Sequence, residues 1–287
     1  MKQGILVEND GRFEVIVDGE VVFSRSTRSN AVTSAKNLDI SLLSTTPESS
    51  YVPMIDKPHF SINARFGFYE NFLGMVMDGV NNSIVVSGKG GLGKSFTLQK
   101  MLDKKGLEED IDYTIIKGYS TAKAMYRTLF ENNGKIVIFD DCDSVLQDKV
   151  SLNILKGALD SYEKRIIHWN SEGFGGDDDL PSCFEFKGQV IFISNMERSK
   201  INQAILSRSL NVDLSMTKSE AIERMWTILP DILTEYSISI KEDALNFLEE
   251  NQQIVKDLNM RTLLDVTKVR ANIPENWEDA AKYLVMQ

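Results

Sequence analysis

The spacing of apolar residues changes several times along this chain, and each change predicts a different element. Near the start, Phe13, Val15 and Val17 stand at every second position and so share one face of a β-rich run, the period-two pattern of a strand. The turn dipeptides Asp10-Gly11 and Asp18-Gly19 flank that run, so a small β-meander is expected. A short helix around residues 31–38 follows it. Residues 44–53 are rich in Ser, Thr and Pro and carry no period of their own, which reads as a linker and places a boundary at residue 50.

Residues 66–80 restore a helical period, with Tyr69, Phe72, Leu73, Val76 and Val80 on one stripe. Four compact runs then follow, 83–87, 112–117, 135–139 and 189–194, all rich in β-branched and aromatic residues. Their near-continuous apolar character predicts strands covered on both faces, as in a parallel α/β sheet. From Thr217 onward the pattern is helical, with capping-box spacing at Thr217/Glu220 and Ser239/Glu242, and no further strand is expected. The reading is therefore an α/β chain in three parts: a β-rich region over 1–50, a parallel-sheet domain over 51–215 and a helical domain over 216–287.

Composition narrows this picture. With 287 residues, 42% hydrophobic, the chain is long enough to bury a sizeable core. A formal charge of −10 opposes collection on phosphate backbones or anionic membranes, so any nucleic-acid contact must be local. No apolar run approaches the length of a membrane span. Two cysteines, Cys142 and Cys183, are too few for a disulfide framework and lack zinc-site spacing. A soluble protein in a reducing cytoplasm is expected.

The chemistry concentrates in the middle. Gly88-Lys89-Gly90-Gly91-Leu92-Gly93-Lys94-Ser95-Phe96 contains the pattern G-x-x-x-x-G-K-[ST] between an apolar strand and a helical run. Glycines let backbone N–H groups turn inward around phosphates, Lys94 supplies positive charge, and Ser95 offers a hydroxyl to Mg2+. ATP with magnesium is the expected ligand. Ile136-Val137-Ile138-Phe139 ends in Asp140-Asp141, which puts Asp140 at the carboxyl edge of the sheet as a magnesium-shell candidate. Asp141 is the candidate to orient a water, while Cys142 and Asp143 read as packing and surface residues. The run 189–194 ends at Asn195, whose amide reads either as a phosphate or water ligand or as a turn residue.

Taken in order, these elements resemble the AAA+ ATPases over residues 60–287. The resemblance identifies Asn195 as sensor 1, Arg208 in Ser207-Arg208-Ser209 as an arginine finger with Arg198 in reserve, and Arg261 as the sensor 2 arginine of a helical lid. Ser-Arg-Ser is also similar to the Ser-Arg-Cys of clamp loaders, and in general look the chain resembles viral or phage members. Arg208 has a second reading, a cation capping the end of a helix. Arg261 would stand in the first turn after an Asn259 N-cap, where the helix dipole disfavours a cation, so another partner is expected for it. The family's acidic pair usually ends Asp-Glu; Asp141 is one methylene shorter, which implies slow hydrolysis.

Two further segments are candidates for contact with a substrate. Lys117-Gly118-Tyr119-Ser120 reads as a chain-gripping loop or as a turn capped by Ser120. Residues 165–188 resemble a hairpin inserted before the sensor strand, with Asp177-Asp178-Asp179 at its tip; such a tip repels DNA and favours a basic or neutral protein partner, unless it is only a solvated loop. Three functions stay open: an oligomeric motor that remodels a protein or protein–nucleic-acid assembly, a DNA-replication accessory ATPase (clamp loader, helicase loader or branch-migration motor), and a nucleotide-gated assembly protein with little turnover.

Overall fold

A computed structural model describes residues 2–9, 12–18, 20–25, 28–38, 40–42, 60–169 and 180–287. The chain divides into two compact units, Met1–His59 and Phe60–Gln287. The expected linker over 44–53, the Asp10-Gly11 turn, Gly19 and the acidic tip over 172–179 lie outside the described residues.

In the first unit, β1 (Lys2–Asn9), β2 (Arg12–Val17) and β3 (Glu20–Arg25) form the expected antiparallel meander, and α1 (Arg28–Asn37) follows. The sheet also gains β4 (Ile40–Leu42), parallel to β1. Val15 and Val17 point into a small core with Ala31, Ala35 and Ile40.

The second unit opens with α2 (Ile62–Met77), which starts earlier than its apolar stripe indicated because Ser61 caps it through Ala64 N. Val80 lies beyond the helix and is exposed, a correction to the stripe. Behind it come β5 (Ser83–Ser87), α3 (Lys94–Lys105), β6 (Tyr113–Lys117), α4 (Ala122–Glu131) and β7 (Ile136–Asp140). Next are α5 (Ser144–Gln147), α6 (Lys149–Ala158), the antiparallel pair β8 (Ile166–His168) and β9 (Cys183–Glu185), and β10 (Gln189–Ser194). Then α7 (Gln203–Leu206) leads into β11 (Leu210–Asp213), a strand the sequence reading missed. Its signal was the alternation of Leu210, Val212 and Leu214, of which the last two are buried. The five-stranded parallel sheet runs β11-β5-β10-β7-β6. Strand β10 is thus inserted between the glycine-loop strand and the acidic strand, and Phe192 stacks on Phe139 across that pairing with centroids 5.5 Å apart.

Four lid helices complete the unit: α8 (Lys218–Ile228), α9 (Ile238–Glu250), α10 (Met260–Asn272) and α11 (Trp277–Val285). Thr217 and Glu220 form the expected capping box. Ser239 does not begin a helix; α9 starts two residues earlier behind Ser237, so that expectation is corrected. Helix α8 is fastened to α2, where Arg224 lies 3.9 Å over the Phe66 ring and Asn63 bonds both Arg224 and Glu223.

The hairpin is held from below by a buried arginine. Arg165 donates to Ala158 O at 2.9 Å and Gly188 O at 2.8 Å, and its guanidinium faces the Phe186 ring. These bonds join the end of α6, the hairpin and the entry to β10. Arg165→Ala leaves both carbonyls without that donor and should destabilise the second unit by about 2–4 kcal/mol, read as a lower urea midpoint.

Candidate nucleotide site

Lys94 anchors the site. Its side chain is buried, and Nζ donates to Gly88 O at 2.6 Å, Lys89 O at 2.8 Å and Asn195 Oδ1 at 3.0 Å. An ammonium has three protons, and here all three have acceptors. Burial lowers its pKa to about 8, although Asp141, Asp140 and Asp143 pull the other way. Gly93 precedes the helix in a left-handed conformation, φ 88°, which lets the loop double back onto the first turn of α3.

Asn195 has a second bond: Nδ2 donates to Asp141 Oδ1 at 2.6 Å. One amide therefore links the lysine of the loop to the second carboxylate of the acidic pair. Asp141 itself turns with φ 55° and its N–H donates to Ile193 O, which fixes it against β10. Asp143 is less passive than its sequence reading, because it accepts a 2.6 Å bond from Ser194 Oγ and so orients the residue before Asn195. Cys142 is buried, as expected.

Ser95 Oγ donates to Asp140 Oδ1 at 2.9 Å. Asp140 is buried at the carboxyl end of β7, and desolvation raises its pKa against the opposing pull of the Ser95 bond. The two groups present oxygen donors only, the chemistry of a hard cation. No cluster of three or more His, Cys, Asp or Glu side chains suited to a metal occurs among the described residues. A magnesium ion fits this pair if phosphate and water complete its shell, as that ion generally requires.

The lid reaches the same loop. Asn259 caps α10 through Arg261 N and Thr262 N, as expected, and Met260 N donates to Gly91 O at 2.8 Å. The Asn259 Oδ1 lies 2.9 Å from where a Gly91 Cβ would stand, and Gly91 has φ 74°, so no side chain is tolerated there. Arg261 extends to within 3.6 Å of the Cβ position of Gly90. A cavity of about 140 Å³ remains between Gly90–Phe96, Asp141, Asn195 and Arg261. Leu92 is buried beside it, while Phe96 is 44% exposed.

Not every predicted residue joins this group. Arg208 donates to Ala204 O at 3.0 Å, the capping arrangement that was its second reading, and its side chain is exposed. Its backbone carbonyl accepts from Ser83 Oγ, which puts it at the amino end of β5, while the glycine loop leaves the carboxyl end. Arg198 lines a separate cleft with Lys89, Asn195 and Ser215. Tyr119 is 80% exposed, and α4 is capped by Thr121 rather than Ser120, a correction explained by the two bonds that tie Ser120 to Ser144 Oγ. Sequence reasoning also missed Arg65, which bonds Asp213 O, Ser215 O and Glu220 and so clamps the hinge between β11 and the lid. No helix among the described residues is long and apolar enough to cross a membrane.

No family model matches the chain. Its sequence is similar to an uncharacterized 36.7 kDa protein from the nrdC-mobD intergenic region of Enterobacteria phage T4, 29% identical over 242 residues that span 77% of this chain and 73% of that one. Its structure is similar to a single-substitution variant of RuvB from Thermotoga maritima, with TM-score 0.50 and 12% identity over 78% of this chain and 69% of that one. The RuvB Holliday junction branch migration motor of the same organism aligns with TM-score 0.46 and 14% identity, covering 74% of this chain and 62% of the motor. This chain thus spans less than two thirds of that motor's length.

The buried lysine has a pH signature. Its pKa of about 8 lies below the unfolded value of 10.5, so the unfolded chain holds more of this proton between those values. Stability contributed through Lys94 should therefore rise as pH increases from about 8 to 10.5, by on the order of 3 kcal/mol. Denaturant midpoints measured across that range should show the rise in the parent protein and lack it in Lys94→Met.

Proposed function

We propose that this chain, which has the fold of the AAA+ P-loop ATPases and a phage protein as its sequence relative, binds ATP with magnesium and hydrolyses it. In this reading it works as a ring or helical oligomer that remodels a protein or protein–nucleic-acid assembly in the cytoplasm, that of the host for a phage protein. One observation carries the proposal: Lys94, Asn195, Asp141 and Arg261, from four separate segments, converge on one glycine loop at the carboxyl edge of a parallel sheet.

Each residue then has a task that its position permits. Phosphate oxygens replace Gly88 O and Lys89 O as acceptors for Lys94, which keeps its charge against the β- and γ-phosphates. The peptide N–H groups of Gly90, Gly91, Leu92 and Gly93 follow the phosphates into α3. Ser95 and Asp140 would hold magnesium, which when bound would supply positive charge to the phosphate oxygens. Asp141 and Asn195 orient the attacking water, and Arg261 carries the state of the γ-phosphate to the lid. The short side chain of Asp141 makes turnover slow.

Arg208 acts on a neighbouring subunit. Four residue steps along β5 separate its anchor at Ser83 from Ser87, roughly 13 Å at strand rise. An exposed arginine at the opposite end of the strand from its own loop serves a copy docked head to tail, a heterologous contact that closes into a ring or continues as a helix. A DNA-directed accessory motor is the second reading, favoured by the exposed cation–aromatic grouping of Lys117, Tyr119 and Lys123. Stimulation of hydrolysis by single-stranded or duplex DNA separates it from the first.

Lys94→Ala should lose ATP affinity in calorimetry, whereas Asp141→Asn should bind ATP and lose turnover; undiminished binding by Lys94→Ala overturns the assignment. Arg261→Ala should bind ADP normally and lose its preference for ATP, and an unchanged ratio of the two affinities removes Arg261 from the site.

Arg208→Ala should bind ATP and hydrolyse it poorly, by about 10³-fold or more if the finger is complete. Mixed with Lys94→Ala it should recover part of the activity, because an intact loop in one subunit then meets an intact finger from the other. Specific activity that does not change with protein concentration in the parent would show a monomeric enzyme.

A further inference from the structure

Both oxygens of the magnesium-candidate carboxylate already face a partner. Asp140 Oδ1 accepts from Ser95 Oγ at 2.9 Å, and Oδ2 lies 4.0 Å from the Lys117 ammonium. Strand register brings the lysine there: β6 and β7 run parallel, with Lys117 opposite Asp140 as the last residue of each strand. The carboxylate is buried, so a nearby cation is favoured. The lysine side chain is 71% exposed, which keeps the pair weak and leaves the lysine free to depart.

The turn after Lys117 is tied to the acidic motif a second time. Ser120 N donates to Ser144 Oγ at 3.1 Å, and Ser144 Oγ donates to Ser120 O at 3.1 Å. Ser144 begins α5, three residues after Asp141. Between the two ties stands Tyr119, exposed at the lip of a cleft lined by Val150, Ile154, Ile166 and Trp169. One tie is two neutral hydrogen bonds into a buried region; the other is a single charge pair that a competing cation removes.

We propose that Lys117 is a positioning residue that competes with magnesium for Asp140, so that the turn 117–120 loses one of its two ties when the ion takes the lysine's place. The inference rests on the nucleotide-site reading above and concerns the regulation of that site. A divalent cation and an ammonium beside one carboxylate repel each other, so the arrival of one expels the other. The coupling is reciprocal: whatever draws the turn outward strengthens Asp140 as a magnesium ligand, and magnesium in turn loosens the surface that carries Tyr119. The sheet need not move, because the signal passes through one side chain.

The test uses the full chain and magnesium titrations of binding to a non-hydrolysable ATP analogue. Lys117→Met should tighten the apparent magnesium affinity by about two- to five-fold, the range for losing one exposed charge partner, and Lys117→Arg should restore it. A Tyr119→Trp reporter, read against the three native tryptophans, should change its emission when magnesium joins the nucleotide; adding Lys117→Met should abolish that change. Unchanged or weakened magnesium affinity in Lys117→Met overturns the proposal. Nucleotide binding by the parent with no magnesium dependence overturns the site reading itself, and this inference with it.

Discussion

A buried ammonium must have acceptors for its protons, and the second unit is arranged around meeting that demand at Lys94. Two of its three acceptors are carbonyls of the glycine loop, so the loop is curled over the lysine. The third is the amide of Asn195, which can stand there only because β10 lies between β5 and β7. Moving that strand to an edge would leave the lysine short of a partner and separate the loop from the acidic pair. Desolvation drives the lysine toward neutrality while three nearby aspartates hold it charged. A phosphate beside it would bring more negative charge and fresh acceptors and favour the charged form further.

The lid meets the loop through backbone and amide contacts. Met260 N–H to Gly91 O and the Asn259 cap bring the positive end of α10 to the glycines. This explains the cation in the first turn of that helix. Arg261 is misplaced with respect to its own dipole, but it points toward Gly90 and the acidic residues beyond, where negative charge collects. At its other end the lid is clamped by Arg65 across the hinge and by Arg224 on Phe66. A body held firmly at α8 and lightly at α10 is suited to pivot at the α8 end and to shift α10 against the loop.

The hairpin and the turn 117–120 share the cleft that carries Tyr119, on the side of the sheet where β6 and β7 end. Their anchors differ in kind. Arg165 fixes the hairpin base through two carbonyls and an aromatic face, contacts that no small ligand displaces. Lys117 holds its turn through a solvent-exposed charge pair. The same surface therefore combines a wall fixed through backbone carbonyls with a turn restrained by an exposed charge pair to Asp140.

Much of this was written locally. The glycine loop, the apolar strand ending in Asp140-Asp141, the Thr217/Glu220 box and the Asn259 cap depend on residues adjacent in the chain, and local sterics and hydrogen bonding decide them. The meander and the hairpin strands were legible for the same reason. Less was legible where partners are remote. Strand β11 is short and half-polar, and only its pairing with β5 makes it a strand. Val80 fell on the right stripe, but the helix had already ended at Asp78. The bond between Asp143 and Ser194, the Arg65 clamp, and the approach of Lys117 to Asp140 join residues between 23 and 155 positions apart. The sequence by itself determined which residues are fit to meet a phosphate and a hard cation. Strand order, register and the docking of the lid, which arise from long-range pairing and packing, alone decided which of them stand together.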